Sequence, residues 1–192
     1  YKELLNFCTV DLSAFYFDIR KDTLYCDSKN SEKRKSCILV LNIILESLIK
    51  WFAPILSFTT EEIFTLINKD KKSIHLEKFI SIPKNFSNEE LNKKWIELKK
   101  IRDICNISIE AKRASKEIGS SLEANLTINL NDKLFQITRD VDFAELCITS
   151  SAKIEKKDSR EVNAITKKAE GNKCPVCWKI SKKKCERHFS EV

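Results

Sequence analysis

Ala124-Asn125-Leu126-Thr127-Ile128-Asn129-Leu130 is the stretch where the chain changes its period. Every second residue is apolar and those between are polar, the pattern of a strand with one face buried. Before this point the apolar residues recur at three and four, as on one face of a helix. The stretch therefore divides the sequence into a long helical part and a smaller mixed part.

Reading back from the boundary, Ser87-Asn88-Glu89-Glu90 has the form of a capping box. It predicts a helix to about Ile118, with Trp95, Leu98, Ile101, Cys105 and Ile109 on its inner face. Gly119 stands where helices commonly end in a left-handed residue. Further back, Thr59-Thr60-Glu61-Glu62 predicts a second capping box, with Thr59 as cap, opening a short helix to Ile67. Ser31 is placed to cap a helix running to Phe52, ended or kinked by Pro54. That helix carries Ile38, Leu41, Ile44, Leu45, Leu48 and Ile49 with apolar flanks, so it is expected to be the most buried of the set. Leu5, Cys8, Leu12, Phe15 and Ile19 predict one helix over Tyr1 to about Tyr25. Only two glycines and three prolines accompany 42% apolar and 33% charged residues, too few turn formers for a sheet protein.

Forward of the boundary, Phe135-Gln136-Ile137 suits a short helix or turn and Phe143 to Ser151 a second strand. The expected fold is mainly α. An antiparallel helical bundle over 1–118 is followed by a small α+β module over 119–155, a linker over 156–170 and a short zinc-finger tail over 171–192.

The tail carries the clearest chemistry. Cys174-Pro175-Val176-Cys177 is followed, seven residues on, by Cys185-Glu186-Arg187-His188. Two pairs with two-residue gaps are what one tetrahedral zinc needs, and four protein ligands leave no open position, so the site is expected to be structural. A redox Cys-x-x-Cys belongs at a helix start beside a βαβ pattern, which does not surround this one. Glu186 or a water is the alternative to His188 as fourth ligand. Val176, Trp178, Ile180 and Phe189 are all the tail can bury, so it needs the metal to fold. The other cysteines (Cys8, Cys26, Cys37, Cys105 and Cys147) lie in apolar patterns and read as small hydrophobes.

Charge singles out the same segment. Of the net charge of +7, residues 151–192 supply +6, with 12 Lys/Arg against six Asp/Glu. Clustered cations beside a balanced body suggest a polyanion partner, the alternative being a solvated lysine-rich tail. No signal peptide and no run of about 18 apolar residues is present, which leads to the expectation of a reduced, cytoplasmic setting without a membrane. Residue 1 is Tyr, no methionine occurs, and helical spacing runs from the first residues. The chain is therefore expected to be the back portion of a longer protein.

Several blocks now resemble one family, in family order and over nearly the whole chain. Asp11-Leu12-Ser13-Ala14-Phe15-Tyr16-Phe17-Asp18-Ile19-Arg20-Lys21-Asp22-Thr23-Leu24-Tyr25 is similar to the helix that opens the anticodon-binding domain of bacterial isoleucyl-tRNA synthetases. Ala53-Pro54-Ile55-Leu56-Ser57-Phe58-Thr59-Thr60-Glu61-Glu62-Ile63 resembles a segment shared with the valyl and leucyl enzymes. Ile118-Gly119-Ser120-Ser121-Leu122-Glu123-Ala124 and Gly171-Asn172-Lys173-Cys174-Pro175-Val176-Cys177-Trp178 resemble stretches typical of isoleucyl enzymes. The resemblance implies a helical domain that grips isoleucine tRNA and a zinc tail near the anticodon. It also implies that the catalytic and editing domains, which use ATP and isoleucine, lie upstream and outside this chain, and that the full enzyme works as a monomer. The sequence agrees in having no His-x-Gly-His stretch and, without methionine, no Lys-Met-Ser-Lys-Ser loop. It departs from the family in its seven-residue loop between pairs and in a histidine where a fourth cysteine is usual.

Within that frame Trp178 and Arg187 are candidates for stacking on bases, and Lys179, Lys182, Lys183 and Lys184 for phosphate contact. Packing against the metal site is the alternative role of Trp178. Lys112, Arg113 and Lys116 read as a solvated face with tRNA contact as the alternative. The reading from another class is a free-standing zinc-containing RNA-binding module without enzymatic activity.

Overall fold

A computed structural model describes residues 1–70, 72–157 and 161–188. Two compact units emerge: one discontinuous, Tyr1–Asp22 with Asn88–Val192, the other Thr23–Ser87. The fold is mainly helical, with a small sheet and a Cys/His tail.

The discontinuous unit is built on a long helix and a sheet. Its first segment is helical throughout, as α1 (Lys2–Asn6), a π-helix over Phe7–Phe17, and α2 (Asp18–Cys26), which continues past the unit's edge. Helix α5 (Glu89–Ala114) starts at Asn88, whose side chain accepts from the Leu91 N–H, one residue later than the expected Ser87 cap. Leu98, Ile101, Cys105 and Ile109 of α5 are buried, on the expected stripe. Opposite them lie Leu126, Ile128 and Leu130 of β1 (Ala124–Leu130), together with Ile19, Phe143, Leu146 and Cys147. Phe15 closes one end of this core, edge-on to Trp95 at 6.1 Å, with the Lys99 ammonium 4.6 Å from its ring centre. Helix α5 stops earlier than predicted. Lys116 takes the left-handed conformation at φ 60, so Gly119 is not the terminator.

After β1 come α6 (Asp132–Thr138) and α7 (Phe143–Leu146), then β2 (Ser151–Lys156) and β3 (Asn163–Lys168). β1 is central: β2 pairs with it in parallel, β3 antiparallel. The parallel pairing requires the crossover that α6 and α7 supply. Two expectations are corrected here. The Phe143–Ser151 segment is not a strand, because the Asp142 carboxylate accepts from the Ala144 and Glu145 N–H groups and turns the chain into α7. Residues 156–170 are not simply a linker, since they contain β3, whose Thr166 is buried while Lys167 and Lys168 are exposed.

The second unit holds α3 (Glu32–Phe52) and α4 (Ser57–Ile67), packed around Ile49, Ala53, Phe64 and Ile74. The Ser31 side chain accepts from the Arg34 N–H at 3.4 Å, as a cap does. Thr59 does not cap α4, which begins at Ser57; the Thr60 hydroxyl donates back to the Leu56 carbonyl instead. Glu61 serves a different purpose from a capping residue, accepting from the Ser73 hydroxyl and the Ile74 N–H, both at 2.9 Å. Nor is α3 the most buried helix: Leu39 is 62% exposed, and Ile38, Val40 and Leu45 are exposed too. Its apolar residues spread all round, while α4 and the turn at Ile74–Leu76 cover one side of it.

Candidate metal centre

The tail is a two-stranded ribbon, β4 (Asn172–Lys173) paired antiparallel with β5 (Ile180–Ser181). Gly171 opens it at φ 126, with the Ser181 backbone so close that a Cβ would collide with it at 2.2 Å. Only glycine serves there. Between the strands the chain folds tightly about the first cysteine pair. The Cys174 N–H donates to the Lys179 carbonyl at 2.9 Å and the Trp178 N–H to the Cys174 carbonyl at 3.0 Å, with Trp178 left-handed at φ 63. The second pair sits on a turn closed by the His188 N–H and the Cys185 carbonyl at 3.2 Å.

These two turns bring the four predicted ligands together. Their donor atoms all lie within 4.8 Å of one another. The Cys174 sulfur is 3.5 Å and the Cys185 sulfur 3.4 Å from His188 Nδ1, and the Cys177 and Cys185 sulfurs are 3.9 Å apart. With Zn–S near 2.3 Å and Zn–N near 2.0–2.1 Å, a tetrahedral zinc has S–S edges of about 3.8 Å and S–N edges of about 3.5 Å. These three edges are compatible with a structural zinc, and the histidine nitrogen that faces the sulfurs is Nδ1. Glu186, the alternative fourth ligand, is exposed and outside the cluster. The surroundings favour a thiolate at one of the sulfurs and oppose it at another. Burial pushes the Cys174 thiol up, but hydrogen bonds from the Cys177 and Val176 N–H groups and His188 together bring it down to about 6. Burial, with Cys174 and Cys185 alongside, pushes Cys177 up to about 12.

Two anchors fasten the ribbon to the rest of its unit. The Ile180 N–H of β5 donates to the Ser150 hydroxyl at 2.6 Å, and that hydroxyl donates to the Leu122 carbonyl. Arg187 reaches α2, where Nη1 meets an Asp22 carboxylate oxygen at 2.5 Å and Nη2 the Asp22 carbonyl at 3.2 Å. Both side chains of this pair are about a quarter exposed, at 29% and 24%. Arg187, singled out for stacking, therefore has a structural engagement that sequence spacing did not reveal. Asp22 and Ser150 are the residues that sequence reasoning missed.

Around the Cys/His cluster lies a concavity of about 480 Å³, lined by Lys173, Lys179, Lys182, Lys183 and Lys184. Lys179 is half-buried, while Lys182, Lys183 and Lys184 are exposed. The Lys182 ammonium is 2.6 Å from Glu170, a surface pair. Trp178 is 58% exposed, and the Lys173 ammonium stands 5.3 Å from its ring centre. The indole is thus not packed away beneath the metal site. Lys112 and Arg113 make ion pairs with Glu117 and Glu110, as solvated helix residues do. Phe189, expected among the tail's apolar groups, lies outside the described residues. Among the described residues no helix is long and apolar enough to cross a membrane.

Comparison with known proteins gives consistent matches. The family described as the anticodon-binding domain of tRNA ligase matches residues 1–128. An isoleucine–tRNA ligase from Pelagibacter ubique is 77% identical over 188 residues, which is 98% of this chain and 21% of that protein. Isoleucine–tRNA ligases from Agrobacterium fabrum and Mesorhizobium japonicum are each 40% identical, over 94% of this chain and 20% of their own lengths. The chain spans about a fifth of the length of the curated relatives it matches.

Proposed function

Since this chain belongs to the anticodon-binding domain family of tRNA ligases, we propose that it is the tRNA-holding part of an isoleucine–tRNA ligase. The whole ligase joins isoleucine to its tRNA at the expense of ATP, in the cytoplasm and as a monomer. This chain's share is recognition. Catalytic and editing domains bind ATP and isoleucine elsewhere in the protein, and the chain alone is inactive.

The observation that carries the reading is a Cys₃His cluster with all donor atoms within 4.8 Å, rimmed by lysines and joined in sequence to the family's helical domain. A zinc ion held by Cys174, Cys177, Cys185 and His188 supplies the folding energy that so small a ribbon lacks. The exposed Trp178 offers a face on which an unpaired anticodon base stacks. Lys179, Lys182, Lys183 and Lys184 meet phosphates, which position the strand without reading its sequence. Arg187 serves the RNA by holding the ribbon rather than by stacking.

The test has two parts. Metal analysis of the purified protein is expected to find about one zinc per chain. Fluorescence anisotropy with the anticodon stem-loop of isoleucine tRNA is expected to show binding that falls steeply with salt. Binding indifferent to both salt and anticodon sequence would sink the reading.

A further inference from the structure

A second concavity of about 360 Å³ opens beside the zinc ribbon, over the polar face of the three-stranded sheet. Its lining includes Asn125 and Thr127 of β1, Ser151 of β2, Lys167 and Lys168 of β3, and Lys182 of the ribbon. The strand register explains the assembly: Asn125 lies opposite Ser151 on one side and Lys167 on the other, forming one row across the sheet. The Ser151 hydroxyl donates to Asn125 Oδ1 at 2.7 Å. This bond occupies the acceptor end of the amide and leaves the Nδ2 hydrogens to face a ligand. With the lysine ammoniums and the Thr127 hydroxyl, the groove presents mainly donors and positive charge.

Among the described residues neither Lys167 nor Lys168 has a carboxylate partner. Lys182 has one, Glu170, which also lines the groove. Both members of that pair are 75% exposed, so the pair is weak and an arriving anion displaces the carboxylate at little cost. Ser181 and Lys182 line this groove and the lysine-rimmed concavity of the ribbon alike. One anionic strand can therefore run from the metal site onto the sheet.

We propose that this groove is a second anion site, taking a phosphodiester of the RNA strand that continues from the ribbon's lysine rim. The proposal rests on the RNA-holding reading above. Lys167, Lys168 and the Asn125 amide hold the phosphate, and Glu170 keeps Lys182 in place until the strand arrives.

The experiment uses the full zinc-loaded chain and a labelled anticodon stem-loop, with affinity measured across a salt series. Lys167→Ala with Lys168→Ala is expected to weaken binding about tenfold and lower the salt slope by about one to two. Asn125→Ala is expected to weaken binding with the slope unchanged, and Glu170→Gln to tighten it about twofold to threefold. Lys183→Ala with Lys184→Ala, on the ribbon's own rim, separates the two ideas. If that variant lowers the slope while the Lys167/Lys168 variant keeps the parent's affinity and slope, the groove is refuted and the RNA reading stands. If the parent chain itself shows no salt-dependent binding, the RNA reading has failed. Inorganic phosphate is the second probe, followed by NMR at the Asn125 side-chain amide. A shift with phosphate, together with RNA affinity untouched by the Lys167/Lys168 change, assigns the groove to free phosphate and overturns the proposal. Zinc content and circular dichroism of each variant establish that it is folded.

Discussion

Arg187 immediately precedes His188 of the Cys₃His cluster, and its guanidinium grips both the carboxylate and the carbonyl of Asp22. A charge-assisted contact of this kind, only partly exposed, is worth about 1–2 kcal/mol. Asp22→Asn is therefore expected to leave the zinc content unchanged but to speed its removal by a chelator severalfold, as seen with a colorimetric zinc indicator. Exchanging the two charges, with Asp22→Arg and Arg187→Asp, is expected to restore part of the loss; no recovery would mean that the contact is incidental. His188→Ala is expected to do more, reducing bound zinc well below one per chain, because it removes one of the four donors of the proposed site. That Cys174, Cys177, Cys185 and His188 gather in one cluster was legible in the sequence because two pairs with two-residue gaps are suited to converge. The anchor was not, because Asp22 and Arg187 are 165 positions apart and nothing local marks an aspartate on a helix as a partner for the tail. For the same reason the Ser150 hydroxyl under Ile180 escaped notice.

At the scale of elements, α5 organises the discontinuous unit. Leu98 is wholly buried in its core, and Leu98→Ala is expected to lower stability by about 2–5 kcal/mol in urea unfolding. Cys105, on the same stripe, touches Cys147 after α7. A hydrogen bond with Cys147, then burial, hold the Cys105 thiol far above its ordinary value of 9.0. The sign follows from proton counting: above pH 9 the unfolded thiol gives up a proton that the folded one keeps, so the unfolded state gains. Stability is expected to be flat with respect to this thiol below pH 9 and to fall above it, by up to about 1.4 kcal/mol per pH unit. Urea unfolding of the parent and of Cys105→Ala across pH 8–10.5 measures the difference. The stripe of α5 and the alternation of β1 were readable because burial on one face imposes a period. β3 was not, because its exposed Lys167 and Lys168 follow one another and mask the inward Thr166. The cap of α5 slipped by one residue because Ser87 and Asn88 both have side chains suited to the task, whereas α4 opens behind Leu56 with no side-chain cap at all. α7 was missed because an aspartate cap decided four residues that otherwise look like a strand.

At the scale of the molecule, the proposed metal site and the two cores are separate sources of order. Chelation at neutral pH is expected to expose 171–188 to protease while the fragment from α5 to β2 persists, as mass spectrometry of the digest would show. A digest that also cleaves within α5 would mean that the ribbon supports the whole unit. The split of that unit, with Tyr1–Asp22 at one end of the sequence and Asn88–Val192 at the other, also bears on how the protein is made. Residues 23–87 emerge from the ribosome between the two pieces and have their own core in Ile49, Ala53, Phe64 and Ile74. They can fold while the first helices wait. Phe15 and Ile19 have no cover until α5 appears, and Asp22 has no Arg187 until some 165 further residues have been joined. At roughly 5–20 residues per second the delay is on the order of ten to thirty seconds. During translation the core of residues 23–87 can therefore form well before the Asp22–Arg187 contact closes.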